Sequence, residues 1–584
     1  MPDITELPWA TYDGEEHTAK IVPVELSLEG LSQEEIQVLG HLSRAVERMT
    51  PIYARQNHDD FPKIYKRLVA LERSQRGKNR EQIAAYNTLL AMTNGVWESS
   101  GGRAFRFPFS KEYMSKSKRF FPLETLVNIP SAPPGRGLYP SDITEEEFQQ
   151  LGDDALKVNS SVVRSDDGML YVVHHEARFR QELIPVRQSL ANAYNFSSDE
   201  RLKEYIKAKI EELKEGTAAQ REQSNLRWLV NEGRIDFSLG TGIETYFDRF
   251  KGVRGIAEGE VYVVRDDFRE LCEGIMALLP EFEATAPWQH KKEVDGKNMP
   301  RLRFADVVTW SGFMDFFPHT VMAHSLPNEK EFRDRYGSVN VIFANVQEAI
   351  VRGGFGKYIQ KEFFPNAEMA QYGNLLASMH LKLTAAHEIG HTTGGMVIEQ
   401  DPTEYFGTEY SRLEEGRAEV FSLWTLPRLI RERIISEKEE MAGYYGMMIM
   451  IVRSMSQEPN DHHGGRNIMF HYFRERGAVK EVKEEGKEKY AVDPSRMREA
   501  VSSLLGEFGD IKATGDREKL EQLKAKYMST DERPEFVRRL QDMPLGTGLI
   551  FPTMEFYNRR KVFTGNLLYP QTFREQPRTI GHFV

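Results

Sequence analysis

The 584-residue sequence has one cysteine and no long hydrophobic run. Cys272 cannot form an intrachain disulfide, and one thiol cannot build a cysteine-rich zinc site. The most apolar stretch, 447–452, is far shorter than the roughly 20 residues that cross a bilayer. Residues 1–16 carry acids and a proline, where a secretory signal has a basic start and an apolar stretch. These features predict a cytoplasmic protein without a membrane span.

The sequence also lacks a surplus of positive charge, an internal repeat and a phosphate-binding glycine loop. Its 77 Lys and Arg residues stand against 88 Asp and Glu residues, a net charge of −11. This balance disfavours non-specific binding to nucleic acid or anionic lipid. The length exceeds what one hydrophobic core usually serves. We therefore expect two large domains with a cleft, acting on a small molecule or a peptide.

The pattern of apolar residues changes along the chain. The N-terminal third has helical periodicity, whereas residues 235–264 alternate glycines with strand-like runs. Residues 301–310 and 338–343 also have strand composition, which predicts a sheet or small barrel in the middle of the chain. Helical periodicity returns from residue 372 to about residue 476. The Lys- and Glu-rich stretch 479–490 predicts a solvated connector or an exposed helix.

The strongest chemical signal is an H-E-x-x-H pattern formed by His387, Glu388 and His391. Residues four apart project from the same face of a helix, so both imidazoles can share one zinc ion. Glu388 is then placed to activate a zinc-bound water. The alternative is a pair of surface histidines on an amphipathic helix.

A second acidic helix, L-E-E-G-R-A-E, follows the histidine motif. Glu415 lies 24 residues after His391, and zinc peptidases of this type take a third ligand from a following helix. Glu415 and Glu419 are one turn apart, so one can bind zinc while the other accepts a hydrogen bond from a ligating histidine. The alternative is a solvent-exposed face of paired charges that includes Arg417.

Together, H-E-I-G-H and E-E-G-R-A-E resemble the paired signature of the dipeptidyl peptidase III family of zinc exopeptidases, whose second motif reads E-E-C-R-A-E. The resemblance implies that His387, His391 and Glu415 bind one zinc ion and that Glu388 activates water. It further implies supporting roles for Glu414 and Glu419. Most members carry an extra residue inside the histidine motif, and this departure leaves substrate rate and preference open.

Further segments extend the resemblance to residues that hold the substrate. Ser325, Asn328 and Asn340 stand in segments similar to the family's N-x-P-N segment and N-V-S-L-G-N strand, with Ser325 in place of an asparagine. In the family these groups hold the N-terminal end and backbone of the peptide. Asparagines that only cap turns or a strand end are the alternative reading.

His462 and Arg466 match the family's H-x-x-x-R segment, whose histidine steadies charge on the scissile carbonyl oxygen; His463 is the alternative by a shift of one. Asp236 is a weaker candidate for the acidic anchor of the substrate amine. A family tyrosine upstream of residue 242 has no counterpart. The carboxylate-binding arginine of the family falls within 559–561, without a choice among those positions.

The resemblance implies an α+β protein with two lobes separated by a wide cleft. Residues 1–258, 309–354 and 560–584 would form a mixed substrate lobe with a small β-barrel, and residues 259–308 and 355–559 a mainly helical catalytic lobe. The implied activity is release of N-terminal dipeptides from oligopeptides by a monomer.

Two alternatives stay open: an aminopeptidase or endopeptidase with the same zinc chemistry, and a peptidase-like peptide-binding protein with little turnover. Cobalt or manganese could replace zinc with these ligands.

Overall fold

A computed structural model describes residues 6–10, 16–93, 95–97, 104, 107, 109–110, 126, 129–133, 135–250, 252–294, 301–313, 321–398, 405–407, 409–459, 461–541, 543, 546–550, 553–557 and 560–564. Among these residues, no helix is both long and apolar enough to cross a membrane.

The chain folds into two compact units. The mixed unit comprises Met1–Val264, Ala305–Val346 and Pro544–Val584, and the helical unit comprises Arg265–Phe304 and Gln347–Met543. The lobe boundaries expected from the sequence were 258, 308, 354 and 559.

The mixed unit contains helices α1 to α10 and α13, which are, in chain order, Gln33–Glu47, Thr50–Asn57, Phe61–Ser74, Gly77–Thr93, Glu145–Gln149, Asp153–Leu156, His175–Arg178, Arg180–Phe196, Glu200–Glu215, Ala218–Leu229 and Lys330–Tyr336. Several of them begin at a side-chain cap. The side chains of Ser32 and Thr217 each accept a hydrogen bond from the backbone N–H three residues on. In return, the side chains of Glu35 and Gln220 accept from the backbone N–H of Ser32 and Thr217. These capping boxes satisfy backbone N–H groups that lack a partner in the first turn.

The strands of the mixed unit are β1 to β9 and β12 to β14, which are, in chain order, Glu6–Ala10, Glu16–Pro23, Ser160–Arg164, Leu170–His174, Ile235–Asp248, Gly252–Val264, Leu302–Gly312, Ala323–Leu326, Val339–Phe343, Gly546–Ile550, Thr553–Tyr557 and Arg560–Thr564. The predicted strands in 235–264, 301–310 and 338–343 correspond to β5, β6, β7 and β9. They form a five-stranded sheet with the order β5-β6-β7-β9-β8.

The predicted small β-barrel is not confirmed, because this sheet is not closed. Among the described strands, β8 and β5 do not pair. A side chain bridges them instead: the Asn328 amide, just after β8, donates to the Ile243 carbonyl of β5 at 3.0 Å. Ile243 lies where the pairing of β5 with β6 shifts register between Gly240 and Glu244, and such a bulge leaves a backbone group without a ladder partner.

The helical unit contains helices α11, α12 and α15 to α23, which are, in chain order, Asp266–Ala277, Leu279–Thr285, Phe355–Phe363, Asn366–Tyr372, Leu376–Gly390, Glu409–Arg431, Glu437–Met455, Asp461–Glu475, Pro494–Thr514, Arg517–Tyr527 and Arg533–Arg539. Helix α14, Ala344–Gly353, carries the chain into this unit. Helix α18 packs against α17, α20 and α21. Tyr444, Tyr445, Met447, Met448 and Met450 of α19 are buried in the core of this unit.

The expectation for 479–490 was wrong, because this stretch forms an antiparallel hairpin. Strands β10, Val479–Glu484, and β11, Lys487–Val492, pair along their length. Glu485 and Gly486 join them with φ values of 52° and 77°, the pattern of a two-residue turn whose twist matches that of the strands. The dense charge hid three apolar positions, Val479, Tyr490 and Val492, which are buried.

A glycine pair lets helices α18 and α20 approach closely. A Cβ on Gly465 would lie 2.9 Å from the Gly416 Cα, and one on Gly416 would lie 3.2 Å from the Gly465 Cα. Backbone atoms cannot rotate away as a side chain can. This contact therefore fixes the distance between two helices whose neighbouring turns carry candidate site residues.

We expect Gly465→Ala to lower the free energy of unfolding by about 1–3 kcal/mol, because the added methyl group overpacks a backbone contact. Gly446→Ala is the matched control, since its Cβ would meet atoms no closer than 3.8 Å. Replacing a mid-helix glycine by alanine there should be neutral or stabilise by about 0.5–1 kcal/mol. Urea unfolding of both variants measures the difference, and equal effects would contradict the close contact.

Candidate active site

Three helices of the helical unit bring the predicted catalytic residues together. Helix α17 carries His387 and Glu388, and His391 caps its C-terminal end, with its N–H still bonded to the His387 carbonyl at 3.2 Å. The turn between them is thus intact, and both rings meet on one side. Helix α18 supplies Glu414, Glu415 and Glu419, and helix α20 supplies His462 and Arg466.

The side chains of His387, His391 and Glu415 converge on one point. The two Nε2 atoms are 3.1 Å apart, and Glu415 Oε2 lies 3.2 Å from His387 Nε2 and 3.7 Å from His391 Nε2. Ligand atoms about 2.0–2.1 Å from a tetrahedral zinc ion are about 3.3 Å from one another. The three donors therefore fit a metal ion, and the expected ligand set is brought together.

The orientation of His391 supports this fit. Its Nδ1 lies 2.9 Å from Glu414 Oε1. A carboxylate accepts, so Nδ1 carries the proton and Nε2 of a neutral ring presents its lone pair to the centre. The Nε2 atoms of His387 and His391 face each other at 3.1 Å, and this close approach is explained if both bind one ion.

Glu414 is itself held by two buried cations. Arg417 donates to both carboxylate oxygens at 2.9 and 2.6 Å, and Lys512 Nζ of helix α21 lies 2.8 Å from Oε2. Burial works to raise the pKa of Glu414, but the Arg417 and Lys512 charges hold it well below its usual range. Arg417 also donates to the Gly390 carbonyl at 2.9 Å, at the end of the histidine helix.

The reading of this helix face as solvent-exposed paired charges is wrong, because Arg417 is fully buried and Glu414 and Glu419 are only 7% and 3% exposed. Sequence reasoning missed Lys512. Its one local signal is a lysine between apolar residues near the end of a helix, Ile511 and Ala513, both buried.

Glu419, one turn further along helix α18, has its own ion-pair partners, Arg466 and His462. Arg466 Nη2 lies 2.5 Å from Glu419 Oε1, and His462 Nδ1 lies 3.6 Å from the same oxygen and 3.4 Å from Glu415 Oε2. Burial works to raise the pKa of Glu419, but Arg466 and His462 lower it to about 2. His463 instead contacts Ser454 Oγ at 2.9 Å, so the histidine beside the metal donors is His462.

Glu388 is half-buried next to His387. Burial works to lower the pKa of His387, but contact with Glu415 and the charge of Glu388 raise it above its ordinary value. Binding of a cation at this centre would displace any proton on Nε2, since the same lone pair serves both.

The remaining predicted residues lie in the mixed unit. Ser325 of β8 is exposed and stands opposite Asn340 of β9. Asn328 is half-buried and bonded to the Ile243 carbonyl. Asp236 is fully buried and accepts hydrogen bonds from Tyr262, Asn231 and the Phe237 N–H at 2.8–3.0 Å.

The substrate-binding roles of these residues stay predictions. Of the three C-terminal candidates for the carboxylate-binding arginine, Arg559 lies outside the described residues and the other two lie in β14.

Comparison with known proteins agrees with this geometry. Residues 154–423 match the sequence model of Peptidase family M49. Nudix hydrolase 3 of Arabidopsis thaliana is 24% identical over 434 residues, which are 68% of this chain and 54% of that protein. The chain thus spans about half the length of this curated relative.

Two solved structures share the fold. DPP III from Caldithrix abyssi superposes with a TM-score of 0.73 at 20% identity and covers 91% of this chain and 97% of its own. Dipeptidyl-peptidase III from Corallococcus sp. strain EGB gives a TM-score of 0.62 at 19% identity, with 91% and 95% covered.

The converging donors and the match to a peptidase family model agree with the metallopeptidase class that the sequence predicted. Residues 154–423, just under half of the chain, are similar to Peptidase family M49. The resemblance to the dipeptidyl peptidase III family is thereby confirmed.

We expect Lys512→Met to weaken metal binding by up to about 10-fold, because Lys512 holds Glu414, the outer partner of His391, whose own loss costs about 10–100-fold. Lys512→Arg should restore most of it. Burial, together with the Arg417 charge, lowers the pKa of Lys512 to about 8. The amine therefore loses its proton above that pH, and the advantage of the wild type over Lys512→Met should shrink there. Competition with a zinc chelator between pH 7 and 10 measures this.

Lys519→Met is the control, because Lys519 is exposed on helix α22. Equal metal affinity for the wild type and Lys512→Met at pH 7 would show that Lys512 has no part in holding Glu414.

Proposed function

We propose that this protein is a zinc-dependent exopeptidase that releases dipeptides from the N-terminus of oligopeptides. The observation that carries the proposal is the convergence of His387, His391 and Glu415, with Glu388 beside them, in a chain of a peptidase family. Two imidazoles and one carboxylate are a typical ligand set of catalytic zinc, which leaves one position open.

Zinc held by these three residues would polarise the scissile carbonyl and lower the pKa of a water molecule at the site. Glu388 would take the proton from that water and pass it to the leaving amine. Its half-buried position on the same helical turn as His387 suits this transfer. Glu414 keeps His391 in the tautomer that can bind metal, at 2.9 Å from Nδ1.

His462 would stabilise the negative charge that develops on the carbonyl oxygen. Its ring is 48% exposed and reaches Glu415 and Glu419 through Nδ1. With the ring protonated, Nδ1–H faces these carboxylates and the other ring nitrogen donates to the substrate oxygen, and a preorganised donor of this kind lowers the barrier to acyl transfer. Arg466 Nη2 lies 2.5 Å from Glu419 Oε1, and this ion pair holds Glu419 in place beside His462.

For the substrate, we propose unblocked oligopeptides whose backbone is held by Asn328, Asn340 and Ser325. An amide both donates and accepts, which suits a peptide backbone. The two solved structures that share the fold are dipeptidyl peptidase III enzymes, which supports the dipeptide register.

Release of a single residue or internal cleavage is the second candidate. The position of Asp236 favours it, since this carboxylate is fully buried and bonded to three groups of the sheet. A buried anchor cannot hold a substrate amine, and Ser325 is shorter than the family asparagine. The zinc chemistry would be unchanged.

The proposal includes a cytoplasmic monomer. The only cysteine, Cys272, is buried and unbridged, which suits a reducing compartment. Light scattering of the purified protein measures the mass against 67.3 kDa for one chain.

We expect the wild type to release N-terminal dipeptides from an unblocked octapeptide, and Glu388→Gln to lower kcat by about 100- to 10,000-fold through loss of the general base. Both should retain zinc, because Glu388 is not a ligand. Mass spectrometry of the products and metal analysis of the same samples measure this. Glu518→Gln, an exposed position on helix α22, is the control.

The same octapeptide with an acetylated N-terminus distinguishes release from the N-terminus from internal cleavage. It should stay intact if the amine is recognised, whereas internal cleavage would support the endopeptidase. Free single residues from the unblocked peptide would support an aminopeptidase. Intact peptide in every sample, despite bound zinc, would refute the peptidase.

A further inference from the structure

A second group of metal-type donors lies inside the sheet of the mixed unit. Glu258 and Glu260 are two residues apart on β6, so both side chains leave the same face of that strand. His324 comes from β8, three strand positions away in the order of the sheet. One ligand atom from each residue lies within 4.8 Å of the other two.

This convergence shows how strongly the sheet curls. Three strand spacings in a flat sheet amount to about 14 Å. The side chains of β6 and β8 meet nevertheless, so they line the concave side of the sheet. Donors that reach one point from distant strands resemble the arrangement at a metal ion, whose ligands come from separate elements.

All three side chains are buried. Glu258 and Glu260 have no exposed surface, and His324 is 8% exposed. Two carboxylates side by side in a protein interior are costly unless positive charge accompanies them. A divalent cation at this point would add two positive charges and leave His324 neutral. Other groups around the cluster also contribute to this balance.

The separation of the imidazole and one carboxylate is compatible with coordination of one ion. His324 Nδ1 and Glu260 Oε1 are 3.4 Å apart, longer than the roughly 2.7–2.9 Å of a charge-assisted hydrogen bond. The 3.4 Å distance is close to the separation of about 3.3 Å between two ligand atoms of a tetrahedral ion. It is also close to the 3.2 Å between His387 Nε2 and Glu415 Oε2 in the helical unit. Phe343 packs edge-on against the His324 ring at 5.2 Å, which restrains the ring.

We propose that Glu258, Glu260 and His324 form a second metal site, which binds one divalent transition-metal ion with a structural role. Two carboxylates and one imidazole suit zinc or manganese. The ion ties β6 to β8 across the open sheet. It thereby fixes the segment after β8, in which Asn328 makes its bond to β5. This site is independent of the peptidase centre in the helical unit.

Metal counting tests the proposal. Protein produced in medium containing zinc and manganese, then desalted, should hold two metal equivalents per chain by mass spectrometry of the elements. Glu260→Gln should hold one, His387→Ala should hold one, and the double variant should hold none. Glu176→Gln is the matched control, because Glu176 is a buried glutamate of the same unit outside the cluster.

One equivalent in the wild type, removed by His387→Ala, would overturn the proposal and leave the cluster as a protonated hydrogen-bonded group. Two equivalents that persist in Glu260→Gln would overturn it as well. The wild-type count needs no variant, so a folding failure of Glu260→Gln leaves a decisive result. The thermal unfolding midpoint of His387→Ala should still fall on chelation, since its remaining ion is structural.

Discussion

The candidate metal centre depends on one buried carboxylate, that of Glu414. It contacts His391 on one side and the cations of Arg417 and Lys512 on the other. A buried charge without partners costs several kcal/mol, so each contact constrains the others. The network fixes the tautomer of His391, ties the end of helix α17 to α18, and anchors both to α21. The geometry of the three donors follows from this arrangement.

Close packing of helices supplies the second constraint. Gly416 and Gly465 bring α18 and α20 nearer than any side chain would allow. Glu415 and Glu419 lie beside Gly416, and His462 and Arg466 lie beside Gly465. The family signature quoted for this helix has cysteine where this chain has Gly416. Because Gly416 and Gly465 have no side chains, helix α20, which carries His462, can lie this close to helix α18, which carries Glu415.

Much of the catalytic centre could be predicted because its signals are local. H-E-x-x-H and E-E-x-R-A-E place their side chains by helical spacing alone, and the structure brings His387, His391 and Glu415 together as expected. Lys512 could not be predicted, since it reaches Glu414 only through tertiary packing. The hairpin at 479–490 was missed because its many charged residues masked the few apolar positions that are buried. The sheet was predicted, but whether it closes depends on pairing between distant strands, which composition does not encode.

The order of the chain bears on how the centre assembles. The three metal donors fall within 387–415, so the entropic cost of closing the loop between them is small. Lys512 is 98 residues beyond Glu414, and its arrival requires the later helices to be in place. Contacts of low sequence separation form early in folding. A bound ion would therefore hold helices α17 and α18 together early in folding. Lys512 would reach Glu414 only when the later helices have folded. The C-terminal helices would then determine how tightly the metal is retained.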